Sequence, residues 1–233
     1  MIVFEEVTFG YDPGRPFLRG HSVTIGPGLT LVVGPNGAGK SSWLKLAAGV
    51  EPPDAGRILI DGCDLWREEA AARASLAYLP EQPDLTPYAT IRDILLLVCG
   101  IRRRPRAEAD EALARFGLIR FAGRSVRELS LGQKRKAVFA AAFIGSPSHL
   151  LLDEPLEAMD RTARDLVVAW VIRRKAAGAA AVVVSHDIEP FAAAADRVLA
   201  LREGTAVLHP DWPEGQAARL AFLDRLARGE APA

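Results

Sequence analysis

The chain has 233 residues, enough to bury one substantial core. Its 49% hydrophobic and 25% charged residues are the proportions of a folded globular domain and exclude a disordered or fibrous polypeptide. Lysine plus arginine (29) equal aspartate plus glutamate (29), so no bulk field draws the chain onto nucleic acid or an acidic membrane, and no nucleic-acid partner is expected. In chain order, runs rich in Val, Ile and Leu predict strands over 3–9, 23–25, 29–33, 57–60, 77–79, 149–152, 181–184 and 198–201. Several of these are continuous apolar runs without alternation, as expected of strands buried on both faces of a parallel sheet, so the fold class is α/β. Helices are expected to begin near Ser41, Thr90, Pro105, Gly132 and Asp160. Ser130 is placed to cap the helix that follows it, and Gly178 to close the one over 160–177. The first 28 or so residues carry Pro13, Gly14, Pro16, Gly26, Pro27 and Gly28 between short strands and read as an antiparallel β layer. Residues 84–140 read as a helical insertion with an arginine-rich turn at 102–106, and 216–228 as a short amphipathic tail.

The chemistry begins at Gly34-Pro35-Asn36-Gly37-Ala38-Gly39-Lys40-Ser41-Ser42, between the strand over 29–33 and the helix at Ser41. Gly37 and Gly39 let the backbone turn so that successive N–H groups point into one hollow, where phosphate oxygens meet the positive end of the helix. This is a P-loop: Lys40 reaches the β and γ phosphates as a point charge, and the Ser41 hydroxyl is placed to bind Mg²⁺. A P-loop needs a carboxylate at the end of a neighbouring buried strand, and Leu150-Leu151-Leu152-Asp153-Glu154-Pro155 supplies it. Asp153 closes the apolar run as a metal candidate, and Glu154 is the candidate general base for an attacking water.

Leu129-Ser130-Leu131-Gly132-Gln133 resembles the LSGGQ signature of the ATP-binding domains of ABC transporters, and it lies about 20 residues before Asp153, as that family requires. The resemblance implies that Ser130 and Gly132, at a helix N-terminus, contact the γ-phosphate held by the P-loop of a second subunit. Gln133 and Asp160 join them among the nucleotide-binding positions. Gln82, in Pro80-Glu81-Gln82-Pro83, resembles the glutamine that touches Mg²⁺ or the water and senses the membrane partner. His186 resembles the histidine that contacts the γ-phosphate, and Tyr11, with Phe9 as a rival, the aromatic that stacks on adenine. Asp160 ends a segment similar to the one that crosses the dimer interface. The implied fold is a P-loop NTPase core with a mostly parallel sheet, an N-terminal antiparallel β layer and an inserted helical subdomain, in one domain over 1–233.

The implied cofactors are ATP and Mg²⁺, the latter on Ser41, Gln82 and Asp153. The implied partners are a second ATPase subunit, as homodimer or related heterodimer, and separate membrane-spanning transporter subunits. Two departures stand out. Leu131 replaces the first signature glycine, so its side chain must point away from the phosphate, and Glu157 puts an extra carboxylate where Ser or Asn is usual. Apolar stretches too short to span a bilayer, a start that runs straight into strand-like residues and only two cysteines, Cys63 and Cys99, fit a cytoplasmic protein held at the membrane by its partner. The function expected is ATP hydrolysis powering transport. The Leu131 form of the signature and the short chain after His186 favour export. A soluble ABC ATPase acting in cofactor or macromolecular assembly is the alternative; a small-molecule kinase leaves the signature and His186 unexplained.

Overall fold

The computed structural model describes residues 1–12, 14–82, 85–202 and 204–230; Pro13, Pro83 and Asp84, where the helical insertion is expected to begin, lie outside the described residues. Two sheets organise the chain. The antiparallel one takes β1 (Ile2–Phe9), β2 (Leu18–Ile25), β4 (Ala55–Ile60) and β5 (Cys63–Asp64), in the order β2-β1-β4-β5. The layer read from the first 28 residues thus draws two further strands from residues 55–64. The β1–β4 pairing joins residues far apart in the chain and leaves no trace in a local pattern, and Gly28 already belongs to the other sheet, paired with Ala180.

The second sheet comprises β3 (Gly28–Val33), β6 (Leu76–Leu79), β7 (His149–Asp153), β8 (Ala180–Val184), β9 (Arg197–Arg202) and β10 (Thr205–His209), in the order β10-β9-β3-β8-β7-β6. Its pairings are parallel except for the β9–β10 hairpin at one edge. The helices are α1 (Lys40–Ala47), α2 (Glu69–Arg73), α3 (Ile91–Ile101), α4 (Ala107–Arg115), α5 (Leu131–Phe143), α6 (Arg161–Ala176), α7 (Glu189–Ala192) and α8 (Gln216–Ala227).

Alternate residues of the central strands feed two separate cores, which is why these strands read as unbroken apolar runs. Leu31, Leu152 and Val183 face a cluster built with the helices α3 to α6. Val32, Leu151 and Val182 face the antiparallel sheet across α1. In that second core Trp43 of α1 is fully buried and stacked on Phe4, ring centroids 4.6 Å apart, so truncating it to alanine costs about 3–5 kcal/mol. The α8 tail docks through Leu223 and Leu226, one helical turn apart, onto the helix-side core. Among the described residues no helix is long and apolar enough to cross a membrane.

Candidate functional site

The carboxyl ends of β3, β7 and β8 open into a cleft of about 370 Å³, lined by Tyr11, Phe17, Asn36, Gly37 and Gly39 to Ser42 of the P-loop, Glu81, Asp153, Glu154 and His186. Ligand crevices lie at such strand ends in open α/β sheets. The loop after β3 enters α1 through Gly39, a left-handed residue (φ 90°) with no side-chain cap, so the first N–H groups of α1 have no side-chain acceptor. Only glycine fits there, since a Cβ would stand 2.5 Å from two ring carbons of Phe17. The Lys40 ammonium folds over the loop and donates to the carbonyls of Gly34 (2.8 Å) and Pro35 (3.0 Å). Burial lowers its pKa below the ordinary lysine value, while the carboxylates of Glu154 and Asp153 oppose that shift.

Asp153 ends β7 with 1% of its surface exposed, and its Oδ1 has no partner. Desolvation pushes its pKa up to about 6, against the hydrogen bond from the Ser41 side chain. A buried carboxylate with an orphaned oxygen beside a hydroxyl is a donor set of hard oxygens and fits a hard divalent cation such as Mg²⁺. The next residue, Glu154, takes the left-handed conformation (φ 47°), unusual for a side-chain-bearing residue, as the chain turns off the strand. Its carboxylate accepts from the His186 backbone N–H (2.9 and 3.1 Å) and from the Ser185 hydroxyl (3.2 Å). The His186 ring stands in the cleft mouth, its Nε2 3.8 Å from Glu154 Oε1.

The remaining candidates lie elsewhere. Gln82 is exposed and does not line the cleft; its neighbour Glu81 does. Ser130 caps α5, its Oγ accepting from the Gln133 backbone N–H (3.3 Å) while the Gln133 side-chain oxygen accepts from the Ser130 N–H (3.0 Å), a reciprocal capping box. Gly132 is pressed against the turn before α6: a Cβ on it would stand 2.8 Å from the Ala158 carbonyl oxygen. Asp160 caps α6, accepting from the Ala163 N–H (2.9 Å) and pairing with Lys136. Leu131 turns its side chain to solvent, and the extra carboxylate Glu157 pairs with Arg135.

The structure thus gathers Tyr11, the P-loop, Asp153, Glu154 and His186, and leaves Gln82, Ser130, Gly132, Gln133 and Asp160 outside that cleft. The buried Phe9 contacts Tyr11 edge-on (5.1 Å) and Phe17 likewise (5.6 Å), so of the three rings Tyr11 and Phe17 reach the cleft. Phe17 and Glu81 carry no motif. The only local signal for Phe17 is an aromatic following the Gly14-Arg15-Pro16 turn, and its position depends on the β1–β2 pairing.

The family model for "ABC transporter" matches residues 18–157. The sulfate/thiosulfate import ATP-binding protein of Mycobacterium tuberculosis is 35% identical over 181 residues, 76% of this chain and 51% of that protein. The Nod factor export ATP-binding protein I of Azorhizobium caulinodans is 31% identical over 204 residues, 85% of this chain and 63% of that protein. The chain therefore spans about half the length of the sulfate relative. Among solved structures, a dimeric post-hydrolysis state of an ATP-binding cassette bound to ADP and Pi superposes with a TM-score of 0.78 at 25% identity, covering 90% of this chain and 98% of that one.

Proposed function

Because the chain belongs to the ABC transporter family, we propose that it binds ATP with Mg²⁺ in this cleft, hydrolyses it to ADP and phosphate, and powers transport through separate membrane-spanning subunits. The observation that carries the reading is the orphaned, nearly dry Asp153 carboxylate set beside Ser41 at the open end of α1, with Glu154 next to it.

Each residue then has a task that its surroundings support. The loop backbone at the open start of α1 cradles the phosphates, and Lys40 exchanges the carbonyls of Gly34 and Pro35 for the β and γ oxygens. Ser41 and Asp153 would hold Mg²⁺, Gln82 being the further ligand that the family resemblance implies, and the cation when bound would neutralise charge on the phosphate oxygens. Glu154 takes a proton from the attacking water, and His186, anchored at its backbone N–H by that same carboxylate, aims its ring at the γ-phosphate. The exposed Tyr11 ring offers a face to adenine.

The cleft is lined by the P-loop, Asp153, Glu154 and His186 and by none of the signature residues. Ser130, Gly132, Gln133 and Asp160 lie outside it, so we assign them to the nucleotide of a second subunit, homologous or identical, arranged head to tail. On this reading the chain works at the cytoplasmic face of the membrane, held there by its transporter subunits. Most of the named relatives are import proteins, for sulfate/thiosulfate, Fe(3+) ions and aliphatic sulfonates, and one is an export protein; against that majority only the Leu131 form of the signature favours export, and accumulation versus depletion of cargo in cells carrying the whole transporter decides the direction. Phosphate release measured across protein concentration tests the core claim. Turnover should rise with the second power of dilute protein, and strictly linear turnover in a sample that stays monomeric with ATP overturns it.

A further inference from the structure

One face of α5 is docked on the segment 157–160 of its own chain. Gly132, Arg135 and Lys136, at helical spacing i, i+3 and i+4, meet the Ala158 carbonyl, the Glu157 carboxylate and the Asp160 carboxylate respectively. Arg135 is the unusual member. It is a charged side chain only 2% exposed, its Nη2 donates to Glu157 Oε2 at 2.6 Å and its Nη1 to the Pro80 carbonyl at 2.9 Å, while its Nε has no partner. Burying a guanidinium is expensive unless it is paired, so the position is specified by those two acceptors rather than by packing. Both acceptors belong to the nucleotide side of the chain. Pro80 directly follows β6, two residues before Gln82, and Glu157 is held to the Glu154 turn by its N–H, which donates to the Glu154 carbonyl at 3.2 Å.

We propose that Arg135 is a positioning residue that ties the chain's own hydrolytic side, through Pro80 and Glu157, to the helix whose Ser130 end serves the second subunit. This rests on the two-subunit reading above. The rigid fork of arginine spans two acceptors on different segments, which a single-point cation does not do with the same geometry. The helix α5, Pro80 just after β6 and the 154–158 turn are thereby tied through one side chain. A displacement begun at one nucleotide is passed to the donors offered to the other.

Glu157→Gln is the sharp variant, because its side chain is 56% exposed and the substitution removes the charge while keeping the shape. Arg135→Gln is the companion, and if that chain fails to fold the first still decides. A trace of hydrolysis-competent chain is mixed with a large excess of Lys40→Ala chain, whose own homodimers are inactive, so that turnover comes only from the trace chain's P-loop completed by the excess chain's Ser130. Glu157→Gln is then placed either in the trace chain or in the excess chain. The expected result is a fall in kcat of about tenfold in both placements, with KM for ATP within about twofold. A fall in only one placement, or in neither, overturns the tie. If the parental mixture itself shows no turnover, the two-subunit reading fails and this inference goes with it, an outcome separable from the others by the absence of a parental signal.

Discussion

The N-terminal ends of α1 and α5 are built in opposite ways. The α1 end is open: its cap is the left-handed Gly39, no side chain satisfies its first N–H groups, and a lysine and two carboxylates surround it. The α5 end is closed on itself by the Ser130–Gln133 capping box and lies outside the cleft. An open end offers backbone N–H groups to an anion, whereas a closed end spends them internally and contributes chiefly through side chains. One chain thus holds a receptor for phosphate and, elsewhere, a finished rigid tip with no receptor of its own. The two together make sense when the tip of one copy meets the receptor of another.

The strongest way to sharpen this contrast is to silence chemistry at the open end without closing it. Glu154→Gln should leave ATP affinity near parental, cut turnover by about a thousandfold and trap an ATP-bound dimer. Equilibrium nucleotide binding, phosphate release and sedimentation read the three effects, and parental turnover removes the base assignment. At the closed end, Ser130→Arg should leave ATP affinity of the dilute chain unchanged while reducing turnover by about a hundredfold. Undiminished turnover would break the contrast outright, since the tip would then have no partner.

Gly39→Ala attacks the architecture of the open end. The left-handed backbone and the Phe17 ring 2.5 Å from the new Cβ should cost about 1–3 kcal/mol, read as a lower thermal midpoint together with weaker ATP binding. A variant as stable and as tight-binding as the parent would show that this end tolerates a side chain.

The smallest effect concerns how α1 is anchored. Trp43 of α1 donates its indole N–H to Nε2 of the buried His21, which must stay unprotonated there, and burial lowers the His21 pKa below its ordinary 6.5. A histidine depressed in the folded state contributes stability that is fully present above 6.5 and is lost as the pH falls through that value toward the lower folded pKa, because the unfolded chain takes up the proton first. Stability should therefore decline on acidification from about pH 7.5 to about pH 5.5, and His21→Asn should make the decline shallower. His149 and His209, also depressed by burial, add to the slope, and Asp153, raised to about 6, opposes it, so the difference between variant and parent isolates the share of His21. An identical slope in the variant would mean that His21 is not among the groups that titrate.

The sequence disclosed what is local. The P-loop, the Asp153-Glu154 pair and the five parallel runs are each written in consecutive residues, and the caps at Thr90, Ser130 and Asp160 sit where their side chains accept from the N–H three residues on. What escaped is relational. The edge strand β10 has only a short mixed run and exists by pairing with β9, and β5 is two residues long against β4. Phe17 reaches the cleft because the β1–β2 hairpin carries it there, and Arg135 reads as one more basic residue on a helix until Pro80 and Glu157 are seen around it. Glu157 was visible as a departure, but the cation that neutralises it lies 22 positions earlier.

The cap at Ser130 constrains more than the start of a helix. One of its oxygen lone pairs accepts from the Gln133 N–H, which leaves the hydroxyl hydrogen free to donate. Helix stability alone would accept aspartate equally well, but aspartate would present an anion with nothing to give. Ser130→Thr should therefore remain active, while Ser130→Asp should fold with an intact cap and repel a neighbouring copy's triphosphate. Comparing thermal midpoint with turnover across the two separates what the helix requires of this position from what the reaction requires.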